Sequence, residues 1–250
     1  AARAPVHPRQ VDAEFSHGTA SNWFGGRSQV STQLLDALHH VGRLRVARRQ
    51  GGIRLYAPPH PQPTPALDPD ARADALIALV VGLYAPLPAT SLSQLVGYLG
   101  RGLPHFRPQL RAALGRARQQ LGQARVEGVD WYWHANEQPD ASRWQQASGV
   151  QLLAPFDPVV WDRRRFALLW GWEYRFEAYT PPARRQRGYY ALPLLWRGQA
   201  IGWANLAVSE GCLRAQLGYV AGSPPREAGY AAALAAELVA MAGFLGVQPG

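Results

Sequence analysis

The sequence predicts an α+β fold: two small helical units, each ending in a two-stranded hairpin, then an antiparallel, barrel-like β module and a C-terminal helix. Three observations predict it. Apolar residues recur at helical spacing through about residue 121, the period changes to two beyond about residue 149, and a proline-rich run divides the helical part.

In the first unit, residues 8 to 15 read as a short helix opened by Pro8, and residues 31 to 42 as a longer one with Leu34, Leu38 and Val41 on its apolar face. Leu44 and Val46, then Ile53 and Leu55, alternate with Arg43, Arg45 and Arg54 around a Gln50-Gly51-Gly52 turn, the pattern of a hairpin. Helix, turn region, helix and two-stranded wing is the order of a winged helix. That fold takes one more helix ahead of these, and residues 1 to 7 are too short and proline-broken to form it. Residues 1 to 57 are therefore expected to be a partial winged helix, and the chain a truncated piece.

Residues 58 to 69 contain Pro58, Pro59, Pro61, Pro63, Pro65 and Pro69 and read as a stiff extended linker. Residues 70 to 147 read as a second, complete winged helix. It has helices near 70 to 84, 91 to 100 and 107 to 121 and a wing at 124 to 134 turning at Glu127 and Gly128. Its third helix sets Leu110, Leu114, Ala117 and Leu121 on one face and Arg107, Arg111 and Arg118 away from it. Residues 148 to 250 form the β-rich module, with strand candidates at 172 to 179, 188 to 195, 200 to 208 and 212 to 220 and a short helix near 162 to 170. A closing helix over 225 to 246, opened by Pro224 and Pro225, is expected to pack on the sheet.

With 250 residues and 47% hydrophobic content the chain can bury a sizeable core. All 26 basic residues are arginine, and the formal charge of +9 favours a polyanionic partner, because each neutralised phosphate releases counterions. The single cysteine, Cys212, excludes a disulfide within the chain and makes a Cys-based metal site unexpected. No apolar run approaches the roughly 18 residues of a membrane span. A cytoplasmic protein with no membrane, metal or cofactor partner, acting as a monomer on double-stranded DNA, is the expectation.

The leading candidate contacts are Arg184, Arg185 and Arg187 in PPARRQRG, read as a hairpin tip between two strands. Three arginines there can straddle phosphates, while Tyr179, Tyr189 and Tyr190 offer stacking faces at its base. A solvated turn is the competing reading of the same charges. In the partial winged helix, Gln29, Gln33, Asp36 and His40 share the polar face of the second helix, with Arg27 and Thr32 near its start. Arg48 and Arg49 sit at the wing tip. Winged helices also use this surface for protein contacts. His39 and His40 point about 100° apart on a helix and lack a third ligand at useful spacing. Glu173 and Glu177, flanking Arg175, resemble a glycosidase carboxylate pair in spacing, but charge pairing on a solvent-facing strand is the expected role. Asp157 and Asp162 read as turn and helix-cap residues.

Over nearly its whole length the chain resembles the YcaQ/AlkZ-type winged-helix DNA glycosylases. The resemblance is carried by HPRQVDAEF, LRVARRQGGIRLYA, APFDPVVWDRRR and EAYTPPARRQRGYYALPLLWRGQ. It implies the C-terminal two thirds of an enzyme that releases N7-alkylated purines and unhooks interstrand crosslinks, with alkylated or crosslinked DNA as substrate. Enzymes of this family carry a glutamine-aliphatic-glutamine or glutamine-aliphatic-aspartate motif in their first winged helix. An N7-alkylated purine is already a cationic leaving group, so a side chain that orients water and stabilises the developing sugar cation suffices. Gln10, Val11 and Asp12 spell that motif here, but within a part resembling the second winged helix, and the match is read as accidental. The chain is then the DNA-holding portion of a glycosylase and inactive alone. A non-catalytic winged-helix DNA-binding protein or regulator is the alternative.

Overall fold

The computed structural model describes residues 5–15, 18–22, 25–60, 68–145 and 147–250, and divides into two compact units, Ala1–Leu67 and Asp68–Gly250. Most of the expected linker, residues 61 to 67, lies outside the described residues.

The first unit runs α1 (Pro8–Phe15), β1 (Thr19–Ser21), β2 (Arg27–Gln29), α2 (Val30–His40), β3 (Arg45–Gln50) and β4 (Ile53–Ala57). The turn region expected between the helices contains a small antiparallel hairpin, with Thr19 opposite Gln29 and Ser21 opposite Arg27. The β3–β4 hairpin is as the alternation predicts: Gln50 pairs with Ile53 across Gly51 and Gly52, whose positive φ of 53° and 80° suit the two-residue turn that matches strand twist. Val6 pairs with Tyr56 on the other edge of β4, and Leu55, Tyr56 and Ala57 are buried.

The inward face of α2 differs from the expectation. Ser31 and Leu35 are buried, whereas Leu34 and Val41 are 49% and 68% exposed. The helix is rotated because its polar residues are tied inward. Ser31 Oγ donates to Asp12 Oδ1 on α1 (2.6 Å), and Asp36 accepts from Tyr56 and pairs with Arg54 on β4 (3.1 Å). Together these bonds hold the azimuth of the helix, with Leu35 buried in place of Leu34.

The second unit begins with α3 (Pro69–Tyr84), capped by Asp68, whose carboxylate accepts from the amides of Asp70 and Ala71, with Pro69 in the first turn where no amide is needed. β5 (Leu87–Pro88), α4 (Ala89–Gly102), a 3-10 turn at Pro104–Phe106, α5 (Arg107–Gln120), β6 (Gly122–Val126) and β7 (Val129–Trp133) follow. The strands form an antiparallel sheet in the order β5-β7-β6. Ile77, Val81, Leu87, Leu92 and Leu110 are its buried centre, with Leu114, Ala117 and Leu121 packed at the margin, the face predicted for α5.

The remainder is an open five-stranded sheet in the order β12-β11-β10-β9-β8. Its strands are β8 (Val150–Leu152), β9 (Leu192–Trp196), β10 (Gln199–Ser209), β11 (Cys212–Tyr219) and β12 (Gln248–Pro249). β8 and β12 are its two edges, so the barrel-like expectation is met in part, by a curled half-barrel sheet that stays open. α7 (Tyr230–Leu245) covers one face through Tyr230, Ala233 and Leu234, and the carboxylate of Glu237 accepts the Leu152 amide on β8 (3.1 Å). The other face carries α6 (Arg163–Trp170) and an aromatic layer of Phe166, Trp172, Tyr174 and Trp203.

The strand expected at 172 to 179 does not form, and the one expected at 188 to 195 begins only at Leu192. The alternation is real, since Trp172 and Tyr174 do point inward, but this segment has no partner strand. Its backbone is held by side chains instead.

Candidate nucleic-acid interface

Asp162 and Asp157 position the start of α6. The first caps the helix on the Arg165 amide (3.0 Å), and the second closes a turn on the Val159 amide (2.8 Å), as the sequence suggests. The three arginines that follow have different fates. Arg165 is buried, donating to the carbonyls of Tyr84 and Pro158, and so ties α6 to the end of α3, where Trp161 packs edge-on to Tyr84. Arg163 lies over the Tyr174 ring at 4.5 Å and donates to two backbone carbonyls. Arg164 alone is exposed.

The segment from 173 to 190 is organised by Glu177. Its Oε2 accepts the amides of Gln186 (2.9 Å), Arg187 (2.7 Å) and Gly188 (3.2 Å), and Oε1 lies 3.9 Å from the Arg187 guanidinium. Burial by itself pushes this carboxyl up. The donations from Arg187, Gly188 and Gln186, together with the guanidinium charge, outweigh burial and hold it below the ordinary carboxylate range. The solvent-facing charge pair expected of Glu173 and Glu177 is therefore corrected: Glu173 is exposed and pairs with Arg175 at 3.6 Å, while Glu177 is 6% exposed and faces inward. No glycosidase-like carboxylate pair exists in this arrangement.

Among the three arginines placed at a hairpin tip, the tip itself is a 3-10 turn, Pro182–Arg184, within an irregular loop. Arg187 is turned inward, lying 5.4 Å from the Trp172 ring and 5.9 Å from Trp203 and donating to the Glu173 carbonyl (3.1 Å). Its role is to hold the loop. Asn205 on β10 donates to the Arg187 carbonyl (2.6 Å), and its side chain fills the space beside Gly188, whose φ of 125° leaves no room for a Cβ. Arg185 is half-buried, with its Nε on the Thr180 carbonyl (2.8 Å) and its guanidinium 5.0 Å over Tyr189. Arg184 is fully displayed, and Tyr179, Tyr189 and Tyr190 are 81%, 60% and 44% exposed. The loop thus presents two arginines and three tyrosines on a rigid base.

Sequence reasoning missed two aromatics beside them. Phe156 is 64% exposed and meets Phe176 edge-on at 5.1 Å, and Phe176 meets Tyr190 at 5.2 Å and Tyr179 at 6.1 Å. The interleaving of Arg175 with aromatics at 174 to 179 is the signal that points to them.

In the first unit the predicted residues also separate. Gln33 reaches back to the β1–β2 hairpin, with its Nε2 within 3.2 Å of the Ala20 and Ser21 carbonyls and Ser28 Oγ. Arg27 bridges that hairpin through Thr19. Gln29 is exposed at the start of α2 with Thr32 beside it half-buried, and Arg48 and Arg49 are exposed on β3, Arg49 donating to the Gly52 carbonyl (3.3 Å). Gln10 caps the start of its own helix by accepting the His7 amide (2.8 Å), and Asp12 receives Ser31. On α5, Arg107 and Arg118 do not face away but brace α4, through the Gly100 carbonyl (2.8 Å) and Ser93 Oγ (2.7 Å). Arg111 stays exposed.

Among the described residues no three histidine, cysteine, aspartate or glutamate side chains converge to hold a metal ion, and no helix is long and apolar enough to cross a membrane.

The sequence model of the family described as DNA glycosylase AlkZ-like matches residues 1–244. The fold is similar to that of Streptomyces sahachiroi DNA glycosylase AlkZ, with a TM-score of 0.51 and 18% identity over 83% of this chain and 53% of that one. The chain therefore spans about half the length of that relative. With its family resemblance matched from end to end, the chain belongs to the AlkZ-like DNA glycosylase family.

Proposed function

We propose that the chain is the DNA-binding portion of a winged-helix glycosylase that excises N7-alkylated purines and unhooks interstrand crosslinks, with its catalytic motif outside these residues. On this reading residues 1 to 57 are part of one winged helix, 58 to 69 a linker, 70 to 147 a complete winged helix and 148 to 250 the β module. The order α3, β5, α4, α5, β6, β7 supports the second assignment, since a winged helix places a short strand between its first two helices and a two-stranded wing after its third. The protein would act in the cytoplasm as a monomer on double-stranded DNA, without metal or cofactor.

The observation that carries the proposal is the loop built around Glu177. A buried carboxylate spent on three backbone amides holds Arg184 and Arg185 beside three exposed tyrosines, an arrangement suited to phosphates and base faces. In a protein of net charge +9, it adds a shaped site to a general attraction for polyanions. Gln10-Val11-Asp12 is the only glutamine-aliphatic-glutamine/aspartate triplet in the sequence, and both of its polar side chains are used in hydrogen bonds, Gln10 to its own helix start and Asp12 to Ser31 on α2. That supports a structural role for it.

The test is base release from DNA carrying N7-methylguanine or a crosslink, measured by chromatography for this chain and for an open reading frame extended to include a second such motif. Release by the extended protein alone is the expected outcome. Release by this chain that Asp12→Ala abolishes would move the chemistry to Gln10 and Asp12. DNA binding without release by either protein would favour the non-catalytic regulator.

A further inference from the structure

Phe176 is the hub of an exposed aromatic cluster. Phe156, Tyr179 and Tyr190 each meet it edge-on, at interplanar angles of 70°, 83° and 88°. Edge-on packing uses the rim of one ring against the face of another, so the outer rings keep a face turned to solvent. Tyr179, at 81% exposed, is the most accessible of the four. Phe176 also lines a groove of about 600 Å³ with Arg164, Arg175 and Glu173.

The surroundings decide what such a cluster can receive. Glu173 is paired with Arg175, Asp157 is closed on the Val159 amide, and Glu177 is buried on the loop amides. Arg164 and Arg184 remain displayed, with Arg185 half-buried, and the surface favours an anion. An intact duplex offers phosphates but no base faces along its length, because each base is stacked between its neighbours. Flat aromatic rings beside arginines have a full partner only where a base is unstacked.

We propose that the cluster of Phe156, Phe176, Tyr179 and Tyr190, with Arg164 in the adjoining groove and Arg184 on the same loop as Tyr179, binds one or two unpaired nucleotides of locally opened or single-stranded DNA. The bases stack on the outer rings and the phosphates meet the arginines. This inference rests on the reading of the chain as a DNA-binding protein and adds a preference to it: the protein recognises DNA that is already open, or holds it open.

The test is fluorescence anisotropy with the 250-residue chain on three oligonucleotides of equal length: a fully paired duplex, the same duplex with a five-nucleotide mismatched bubble, and single-stranded oligo-dT. The bubble is expected to bind at least tenfold more tightly than the paired duplex. Tyr179→Ala is expected to weaken bubble binding roughly 5- to 100-fold, the range for one lost stacking contact. Its effect on paired-duplex binding should be several-fold smaller, and Tyr179→Phe, which keeps the ring, should behave as wild type. Phe156→Ala provides a second variant, and thermal melts show that each is folded. Equal affinity for bubble and duplex, or equal weakening of both by Tyr179→Ala, overturns the inference and leaves DNA binding standing, as does a bubble preference indifferent to all four rings. Absence of binding to all three DNAs overturns the inference and the DNA-binding reading together.

Discussion

Replacing Glu177 by alanine tests the organisation of the 173 to 190 loop. Glu177 Oε2 accepts three amides at 2.7 to 3.2 Å, and Oε1 lies 3.9 Å from a guanidinium whose side chain is 14% exposed. A buried amide deprived of its partner costs about 1–3 kcal/mol. Gln186 is exposed and Arg187 and Gly188 are half-buried, so water recovers part of each bond, and about 1 kcal/mol apiece is the appropriate end of the range. Glu177→Ala should then cost about 3 kcal/mol, lowering the melting midpoint by about 6–12 °C for a unit of this size. Glu177→Gln keeps one acceptor but loses the charge and turns an NH2 toward the amides, and should fall between the two. Calorimetry on the three proteins reads the difference, and duplex binding by anisotropy should weaken in the same order as Arg184 and Arg185 lose their fixed base. Alanine and glutamine variants melting within 1 °C of wild type, with unchanged DNA affinity, would refute the claim that this carboxylate builds the loop.

The same group sets a pH response. Its carboxyl lies below the ordinary value of 4.5, so its stabilisation is complete above that pH and is lost as pH falls through the lower value in the folded protein. Between pH 5.5 and pH 3 the melting midpoint of wild type should fall more than that of Glu177→Gln; parallel curves would contradict it. Gly188→Ala must place a Cβ within 2.3 Å of the Asn205 side chain at a φ of 125°, and should destabilise by about 1–3 kcal/mol in a urea titration. Gln33→Ala should release the β1–β2 hairpin at about 1–2 kcal/mol, seen as faster amide exchange at residues 19 to 29 with exchange in α3 unchanged.

Much of the helical architecture is legible in the sequence because the signals are local. Asp162 caps α6, Gly51 and Gly52 turn the β3–β4 hairpin, and Leu110, Leu114 and Leu121 mark the inner side of α5, whereas Asp68 and Pro69, which open α3, read as linker. The site is less legible because its geometry depends on partners distant in sequence. Nothing near Glu177 announces that its carboxylate will collect the amides of residues 186 to 188, and without that bond the alternation of Trp172 and Tyr174 reads as a strand. Gln33 and Arg107 look like surface residues on a polar helix face, and each is spent on a neighbouring element seven or more residues away. Phe176 is hidden by its own hydrophobicity, since an aromatic in a strand-like pattern is read as core, and Phe156 lies in a turn outside every expected element. On α2 the apolar residues border both sides of the helix, so periodicity leaves the azimuth to Ser31 and Asp36.

The most direct test of DNA holding by the Arg184 and Arg185 loop is the salt dependence of duplex binding by wild type and by the Arg184→Ala, Arg185→Ala double variant, followed by anisotropy from 50 to 200 mM salt. Each phosphate contact contributes about 0.9 to the slope of log K against log salt. Binding at 50 mM salt is expected, with a slope shallower by about 1.8 in the double variant and a melting midpoint lowered by no more than about 2–4 °C, the loss of the Arg185 bond to the Thr180 carbonyl. An identical slope in the two proteins, or no binding by wild type at low salt, would contradict it.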